Sequence, residues 1–210
     1  AGVFTSNFGM RRDPFTGRVW ALLGHGHWGA KLSHSDDGGA TWADAKAQIK
    51  YPQGARYIAQ DMFEDSGSEH GVGWKVSTKP ATLLKLWTMA FGSGGRVYVG
   101  TIPGGLFESK DGGDTFALNL PLWNHESRGG DLFGTEDAGN RETKWFGTPA
   151  SEGEFAPGIH SIAVDPRDSR HVTLGVSCGG VWVTRDGGET WKCQADGMRA
   201  EYMPPDKAMY

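Results

Sequence analysis

Ser35–Trp42 reads SDDGGATW, and near copies of this octapeptide occur at Ser109–Phe116 (SKDGGDTF) and Thr184–Trp191 (TRDGGETW). The copies begin at positions 35, 109 and 184, which gives spacings of 74 and 75 residues. A pattern that returns at a fixed spacing indicates a repeat architecture. The sequence therefore predicts one structural unit used three times.

Each octapeptide predicts the tight turn of a β-hairpin. An extended run enters, Asp-Gly-Gly reverses the chain, and Thr with an aromatic residue leaves as the next strand. Glycine accepts the positive φ values of such turns, and the Asp carboxylate can accept backbone N–H groups inside them. The aromatic residue is expected to fill a core between layers. We assign a structural role to Ser35, Asp37, Gly39, Thr41, Trp42, Ser109, Asp111, Gly113, Thr115, Phe116, Thr184, Asp186, Gly188, Thr190 and Trp191.

Two further extended runs precede each octapeptide, so every unit has four predicted strands, A to D. Repeated four-stranded antiparallel sheets with short turns predict an all-β fold, a β-propeller whose sheets are blades around an axis. We expect a single partial propeller over residues 1–210. Its predicted parts are blade 1 (about 1–50), a connector (51–81), blade 2 (about 82–122), a connector (123–157), blade 3 (about 158–198) and the start of a further connector (199–210).

Composition restricts the partners of this chain. The 210 residues carry a formal net charge of −4, which argues against a nucleic-acid or anionic-membrane surface. No apolar run approaches the roughly 18 residues of a spanning helix. Cys178 and Cys193 are not expected to form a disulfide, which favours a cytoplasmic location, although the start at Ala1 leaves a leader open. Three blades do not close a ring, so further sequence or another chain is expected to supply the rest.

The pattern Ser-x-Asp-x-Gly-x-Thr-Trp resembles the Asp-box of the bacterial-neuraminidase-repeat propellers. That family includes sialidases, two-propeller xyloglucanases, sortilin-type receptors and photosystem assembly-factor propellers. The resemblance implies the propeller fold, while its members include enzymes, receptors and scaffolds. A sialidase carries an Arg-Ile-Pro motif near its N-terminus. The nearest segment here is Thr101-Ile102-Pro103, so this chain departs from the sialidase pattern.

Strand alternation predicts which face of the propeller carries function. The A–B and C–D turns lie at one end of each blade, and the B–C hairpins and D–A connectors lie at the other end. The octapeptides are C–D turns. The long connectors and the B–C hairpins therefore share the opposite face, which we call the connector face.

The first B–C hairpin is longer than its counterparts and contains His25, His27 and Trp28. A His-x-His sequence suits a polar ligand or a metal, with His125 or His160 as a third ligand. Cys178 is a candidate nucleophile near His160 or a small buried residue. Neither a metal nor a cofactor is assigned.

Tryptophans occur in the first B–C hairpin and in the connectors, and acids are concentrated in the connectors. Trp28, Trp74, Trp123 and Trp145, beside Arg128, either stack against a sugar or anchor the loops. The acids are candidates for the carboxyl pair of a glycoside hydrolase or are solvated side chains. They are Asp61, Glu64, Asp65, Glu69, Glu126, Asp131, Glu136, Asp137, Glu142, Glu152 and Glu154.

The hypothesis is a carbohydrate-directed propeller, with glycoside hydrolysis as its candidate activity and a glycan or other small polar molecule as its ligand. The alternative is a non-catalytic scaffold that presents the connector face to a protein partner. A metal-dependent enzyme that uses His25 and His27 is a third hypothesis.

Overall fold

The computed structural model describes residues 5–25, 29–64, 66–67, 72–139, 141, 143–145 and 156–198. Three four-stranded antiparallel sheets dominate it, and within each sheet the strands are neighbours in chain order. The first contains β1 (Thr5–Arg12), β2 (Val19–His25), β3 (Gly29–Ser35) and β4 (Ala43–Asp44). The second contains β7 (Lys85–Gly92), β8 (Arg96–Ile102), β9 (Leu106–Ser109) and β10 (Ala117–Leu118). The third contains β11 (Ile159–Asp165), β12 (Asp168–Val176), β13 (Gly180–Thr184) and β14 (Lys192–Cys193).

The sheets pack face to face through apolar side chains. Strand β8 is the clearest case, since Val97, Tyr98 and Val99 are each no more than 1% exposed and cover both faces of the strand. Strand β7 lies against both β1 and β11, so the first strands of the three sheets are neighbours. An all-β propeller with three visible blades is therefore confirmed.

Each Asp-Gly-Gly turn is closed by its own side chains. In the second turn, Ser109 Oγ donates to Asp111 Oδ1 at 2.7 Å and accepts Gly113 N at 2.8 Å. The backbone N–H and the hydroxyl of Thr115 donate to the two oxygens of Asp111 at 2.9 and 2.6 Å. These hydrogen bonds, led by that from the Thr115 hydroxyl, lower the pKa of Asp111 to about 2. The other two turns repeat the arrangement.

The aromatic residue of a turn is buried between two blades only when the preceding blade in the chain packs against that turn. Trp191 is 4% exposed, and its indole N–H donates to Asn119 Oδ1 of blade 2 at 3.0 Å. Trp42 is 43% exposed, and its indole N–H bonds only locally, to Gly39 O. The prediction of a core role for Trp42 is therefore wrong within the described residues. The physical reason is that no preceding blade among these residues covers it.

The first connector is a hairpin, which the sequence analysis did not predict. Strands β5 (Arg56–Glu64) and β6 (Val72–Pro80) pair antiparallel in register from Arg56 with Pro80 to Glu64 with Val72. The second connector begins with helix α1 (Leu120–Trp123) and a 3-10 helix (Glu126–Arg128). Within the described residues, no helix is long and apolar enough to cross a membrane.

Replacing Gly113 with Ala tests how closely the turn approaches the preceding blade. A Cβ at Gly113 would lie 2.6 Å from the Trp20 ring of blade 1, whereas a Cβ at Gly112 would meet nothing within 4 Å. Both glycines have positive φ, so both substitutions share the backbone strain. We expect Gly113→Ala to lower the free energy of unfolding by about 1–3 kcal/mol more than Gly112→Ala, through overpacking. Urea denaturation measures this, and equal losses would contradict the close approach.

Glu108 makes the stability of the blade 2 and blade 3 contact depend on pH. Burial raises its pKa to about 6 from 4.5, so the folded state binds more protons than the unfolded state between these values. The contribution of Glu108 to the free energy of unfolding is fully present below pH 4.5 and is lost as the pH rises through 6. We expect Glu108→Gln to match the wild type below pH 4.5 and to exceed it by about 2 kcal/mol above pH 6.

Denaturation curves measured from pH 4 to pH 8 check this pH dependence. The exposed Glu126 serves as the control, and Glu126→Gln is expected to follow the wild type. Parallel curves for Glu108→Gln and the wild type would show that Glu108 is not desolvated.

Candidate functional site

Three segments of the connector face are joined by hydrogen bonds. Gly134 N donates to Gly54 O at 2.9 Å, which ties the second connector to the first. The Thr78 hydroxyl of β6 lies 2.7 Å from the carbonyl oxygens of both Thr135 and Glu136, which share its single proton. Thr78 is 6% exposed, so its hydroxyl is buried at this junction. The two connectors therefore form one layer over the blades.

A cleft lies where this layer meets the B–C hairpin of blade 2. Its remaining interior space is about 10 Å³, which holds about one water-sized group. The lining residues include two arginines, two residues with a hydroxyl group and several with aromatic rings, but none with a carboxylate. These residues are Arg56, Tyr57, Ile58, Pro103, Gly104, Trp123, Arg128, Leu132, Thr143, Trp145 and Pro157.

Arg128 lies between two indole rings of this cleft. Its guanidinium carbon is 3.9 Å from the ring centroid of Trp145 and 4.5 Å from that of Trp123. The side chain belongs to the 3-10 helix and is 6% exposed, and its Nη1 has no hydrogen-bond partner among the described residues. Burial lowers the pKa of Arg128 to about 9, so the group remains charged at neutral pH. The cleft thus contains a buried cation whose main neighbours are aromatic faces.

Tyr51 packs against Trp123 behind the lining of the cleft. Its ring is 5.1 Å from that of Trp123, and its hydroxyl donates to Pro103 O at 2.5 Å and contacts Thr101 Oγ1 at 2.6 Å. Burial raises the pKa of Tyr51, so the hydroxyl stays protonated and available as a donor. On the other side, a Cβ at Gly104 would lie 2.6 Å from Trp145, so this glycine permits the close approach of the indole.

A second group of side chains lies on the first strands of blades 2 and 3. Trp87 of β7 meets His160 of β11 with ring centroids 5.8 Å apart, and the Lys85 ammonium lies 5.3 Å from the Trp87 ring centroid. Trp87 is half-buried and His160 is exposed. All three lie within the first three residues of their strands, which begin at the connector face. Trp87 therefore combines an aromatic surface with neighbouring polar groups.

The histidines proposed as ligands are not brought together among the described residues. His125 caps the 3-10 helix by accepting Ser127 N at 3.2 Å and packs edge-on against Trp182, at 4.9 Å between ring centroids. Burial lowers its pKa, which favours the neutral ring. His25 ends β2, but its side chain, His27 and Trp28 lie outside the described part of the chain. In that part, no group of three His, Cys, Asp or Glu residues could hold a metal ion.

Cys178 is exposed at the tip of the B–C hairpin of blade 3, so the interpretation of a small buried residue is wrong. Its φ is +53°, because the hairpin reverses at this residue. Cys193 is also free and exposed. The role of Cys178 as a nucleophile stays a prediction.

The candidate aromatic residues and acids have different surroundings. Trp123 and Trp145 are each 3% exposed, which agrees with loop anchoring and leaves little ring surface for a sugar. Glu126, Asp131, Glu136 and Asp137 are exposed and do not line the cleft. The side chains of Trp74, Asp61 and Glu64 are not described, and Asp65, Glu69, Glu142, Glu152 and Glu154 also lie outside the described residues.

Arg128 was a candidate from the sequence, whereas Arg56 and Thr143 of the cleft lining and Tyr51, which packs against Trp123, were not. No motif contains these three residues. Recognition of β5 and β6 could have found Arg56, since both strands are rich in β-branched and aromatic residues and are separated by Ser and Gly. Thr143 follows no comparable pattern.

No family model matches the sequence, and no curated protein matches it. Among solved structures, the chain is similar to the GH74 xyloglucanase from Xanthomonas campestris, with 16% identity and a TM-score of 0.38 over 90% of this chain and 30% of that chain. It is also similar to YCF48 bound to D1 peptide, with 14% identity and a TM-score of 0.33 over 83% of this chain and 62% of that chain. YCF48 from Cyanidioschyzon merolae is 12% identical, with a TM-score of 0.22 over 91% of this chain and 85% of that chain.

The chain spans less than two thirds of the xyloglucanase and of YCF48 in its peptide-bound structure. Likeness at this level carries no inference about ligand or activity.

Thr78→Val tests whether the two connectors act as one layer. The substitution keeps the shape, removes the hydroxyl donor that the Thr135 and Glu136 carbonyls share, and leaves the Arg56 Nε group, 3.0 Å from Thr78 Oγ1, without this acceptor. We expect a loss of about 1–3 kcal/mol in the free energy of unfolding, measured in urea. Thr78→Ser retains the hydroxyl and is expected to lose less. A loss in Thr78→Ser as large as or larger than that in Thr78→Val would contradict the role of the hydroxyl.

Proposed function

We propose that this chain is a binding propeller that engages its ligand or partner on the connector face without hydrolysing it. The observation that supports this proposal is the composition of the cleft, whose described lining includes Arg56 and Arg128 but no carboxylate. Two guanidinium groups suit recognition, because they are donors that stay charged at neutral pH.

Hydrolysis of a glycoside has a different requirement. It needs two carboxyl groups about 5–9.5 Å apart, one with a raised pKa. Of the described carboxyl groups, Glu108 has a raised pKa, but it lies on β9, 3.2 Å from Asn119 Nδ2 at the contact with blade 3. The arrangement therefore supports the scaffold or receptor hypothesis over glycoside hydrolysis.

A carbohydrate is the second candidate ligand, and the observation that favours it is the group formed by Trp87, Lys85 and His160. A half-buried indole with polar neighbours offers an apolar face and hydrogen-bonding groups to one sugar ring. We also propose that the Asp-Gly-Gly turns are Asp-boxes of the sialidase-like propellers. The repeated hydrogen bonds between Ser or Thr, Asp and Gly support that assignment.

A matched pair of tryptophan substitutions tests which face binds. Trp87 lies near the connector face, whereas Trp42 is an exposed indole on the opposite face. Binding of the complete protein to glycan and peptide arrays, with a parallel glycan hydrolysis assay, is expected to give binding without turnover. We expect Trp87→Ala to weaken glycan binding roughly tenfold, from loss of stacking, and Trp42→Ala to leave it unchanged.

Two results would contradict the proposal. Hydrolysis of any glycan would show that the protein is an enzyme and not only a binding protein. If Trp42→Ala weakened glycan binding as much as Trp87→Ala, the binding surface would not be confined to the connector face.

A further inference from the structure

The charge of the cleft is unbalanced. Arg56 uses Nε and Nη2 to donate to the hydroxyl and carbonyl oxygens of Thr78, both at 3.0 Å, so its described partners are neutral. Arg128 has aromatic neighbours but no hydrogen-bond acceptor at Nη1 among the described residues. Two positive charges therefore share one cleft without a negative charge from its described lining.

Comparison with Arg18 shows what Arg128 lacks. Arg18 also lies over an indole, with its guanidinium carbon 5.5 Å from the Trp20 ring centroid. Its Nε donates to Asp36 Oδ1 at 2.6 Å, so this more exposed arginine has a carboxylate partner. Arg128 is more deeply buried and has none in the described part of the chain. Burying a cation is unfavourable unless an acceptor pairs with it, so the surroundings of Arg128 favour an anion as ligand.

The size of the cleft restricts the kind of anion. Space for about one water-sized group accommodates a single oxygen atom beside Arg128, while the rest of a ligand stays outside. A carboxylate is planar and can place one of its two oxygens in this space. A phosphate carries several tetrahedral oxygens and a higher charge, which makes its desolvation more costly. A carboxylate therefore fits better.

We propose that the cleft lined by Trp123 and Trp145 is a carboxylate-binding site, with Arg128 as the buried donor and Arg56 as the second cation. The site takes a ligand with one free carboxylate, either an acid sugar or the C-terminus of a peptide. This inference rests on the proposed function, for which it names the chemistry of the ligand.

The indole N–H groups of the cleft provide a direct test. Trp123 and Trp145 have buried Nε1 atoms without a described partner, and the chain has nine tryptophans in all, so their signals can be followed in a two-dimensional NMR spectrum. The complete protein is titrated with acetate, glucuronate and N-acetylglycine. Glucose, chloride and inorganic phosphate are the comparison solutes, and Trp123→Phe and Trp145→Phe assign the signals.

We expect saturable shifts of both indole signals with the carboxylates and none with glucose or chloride. The tighter of glucuronate and N-acetylglycine identifies the source of the carboxylate. Arg128→Gln and, independently, Arg56→Gln are expected to weaken binding by roughly tenfold or more. Arg18→Gln is the matched control and is expected to leave the titration unchanged. If Arg128→Gln does not fold, Arg56→Gln carries the test.

Three outcomes would overturn the inference. They are no saturable shift with any carboxylate, equal or tighter binding of phosphate, and a carboxylate response that appears only after Glu142, Glu152 and Glu154 are changed to Gln. The last would mean that the chain's own acids fill the cleft. If glycan or peptide binding persists while free carboxylates give no shift, the carboxylate inference fails and the proposed function stands.

Discussion

The packing of the blades depends on the hydrogen bonds between Asp and Thr within each Asp-Gly-Gly turn. Because Asp111 holds both the N–H and the hydroxyl of Thr115, the turn is compact and its second glycine faces the preceding blade without a side chain. The third turn completes the contact through Asn119, whose side chain donates to Gly188 O and accepts Trp191 Nε1. A local turn therefore determines how one blade sits on the next, and its repetition extends the propeller.

The same architecture explains why the connectors form a separate layer. Each connector must run from the outer strand of one blade to the inner strand of the next, across the face opposite the turns. The first connector satisfies its backbone groups by forming the hairpin β5 and β6, and the second does so partly by hydrogen bonds to it. Thr78 joins them at a buried point. The cleft is the space left where this layer rests on the hairpin that contains Pro103.

The two faces differ in how their charges are balanced. In the turns, Asp37, Asp111 and Asp186 accept several hydrogen bonds, which lower their pKa values and leave no demand for an outside partner. On the connector face, Arg128 is stabilised by two aromatic rings but lacks an acceptor at Nη1 among the described residues. This difference is the physical basis for assigning structure to one face and recognition to the other.

The sequence by itself determined the repeat, the strand order and the face that collects the unusual segments, because turns and alternating strands depend on neighbouring residues. It also marked Arg128 as a candidate. Only the tertiary structure decided that Trp123 and Trp145 enclose Arg128 and that Arg56, from the first connector, lines the same cleft. It also decided that Trp42 stays exposed while Trp191 is buried. Burial and pairing depend on residues far apart in the chain, and a local pattern carries no record of which distant segment will cover it.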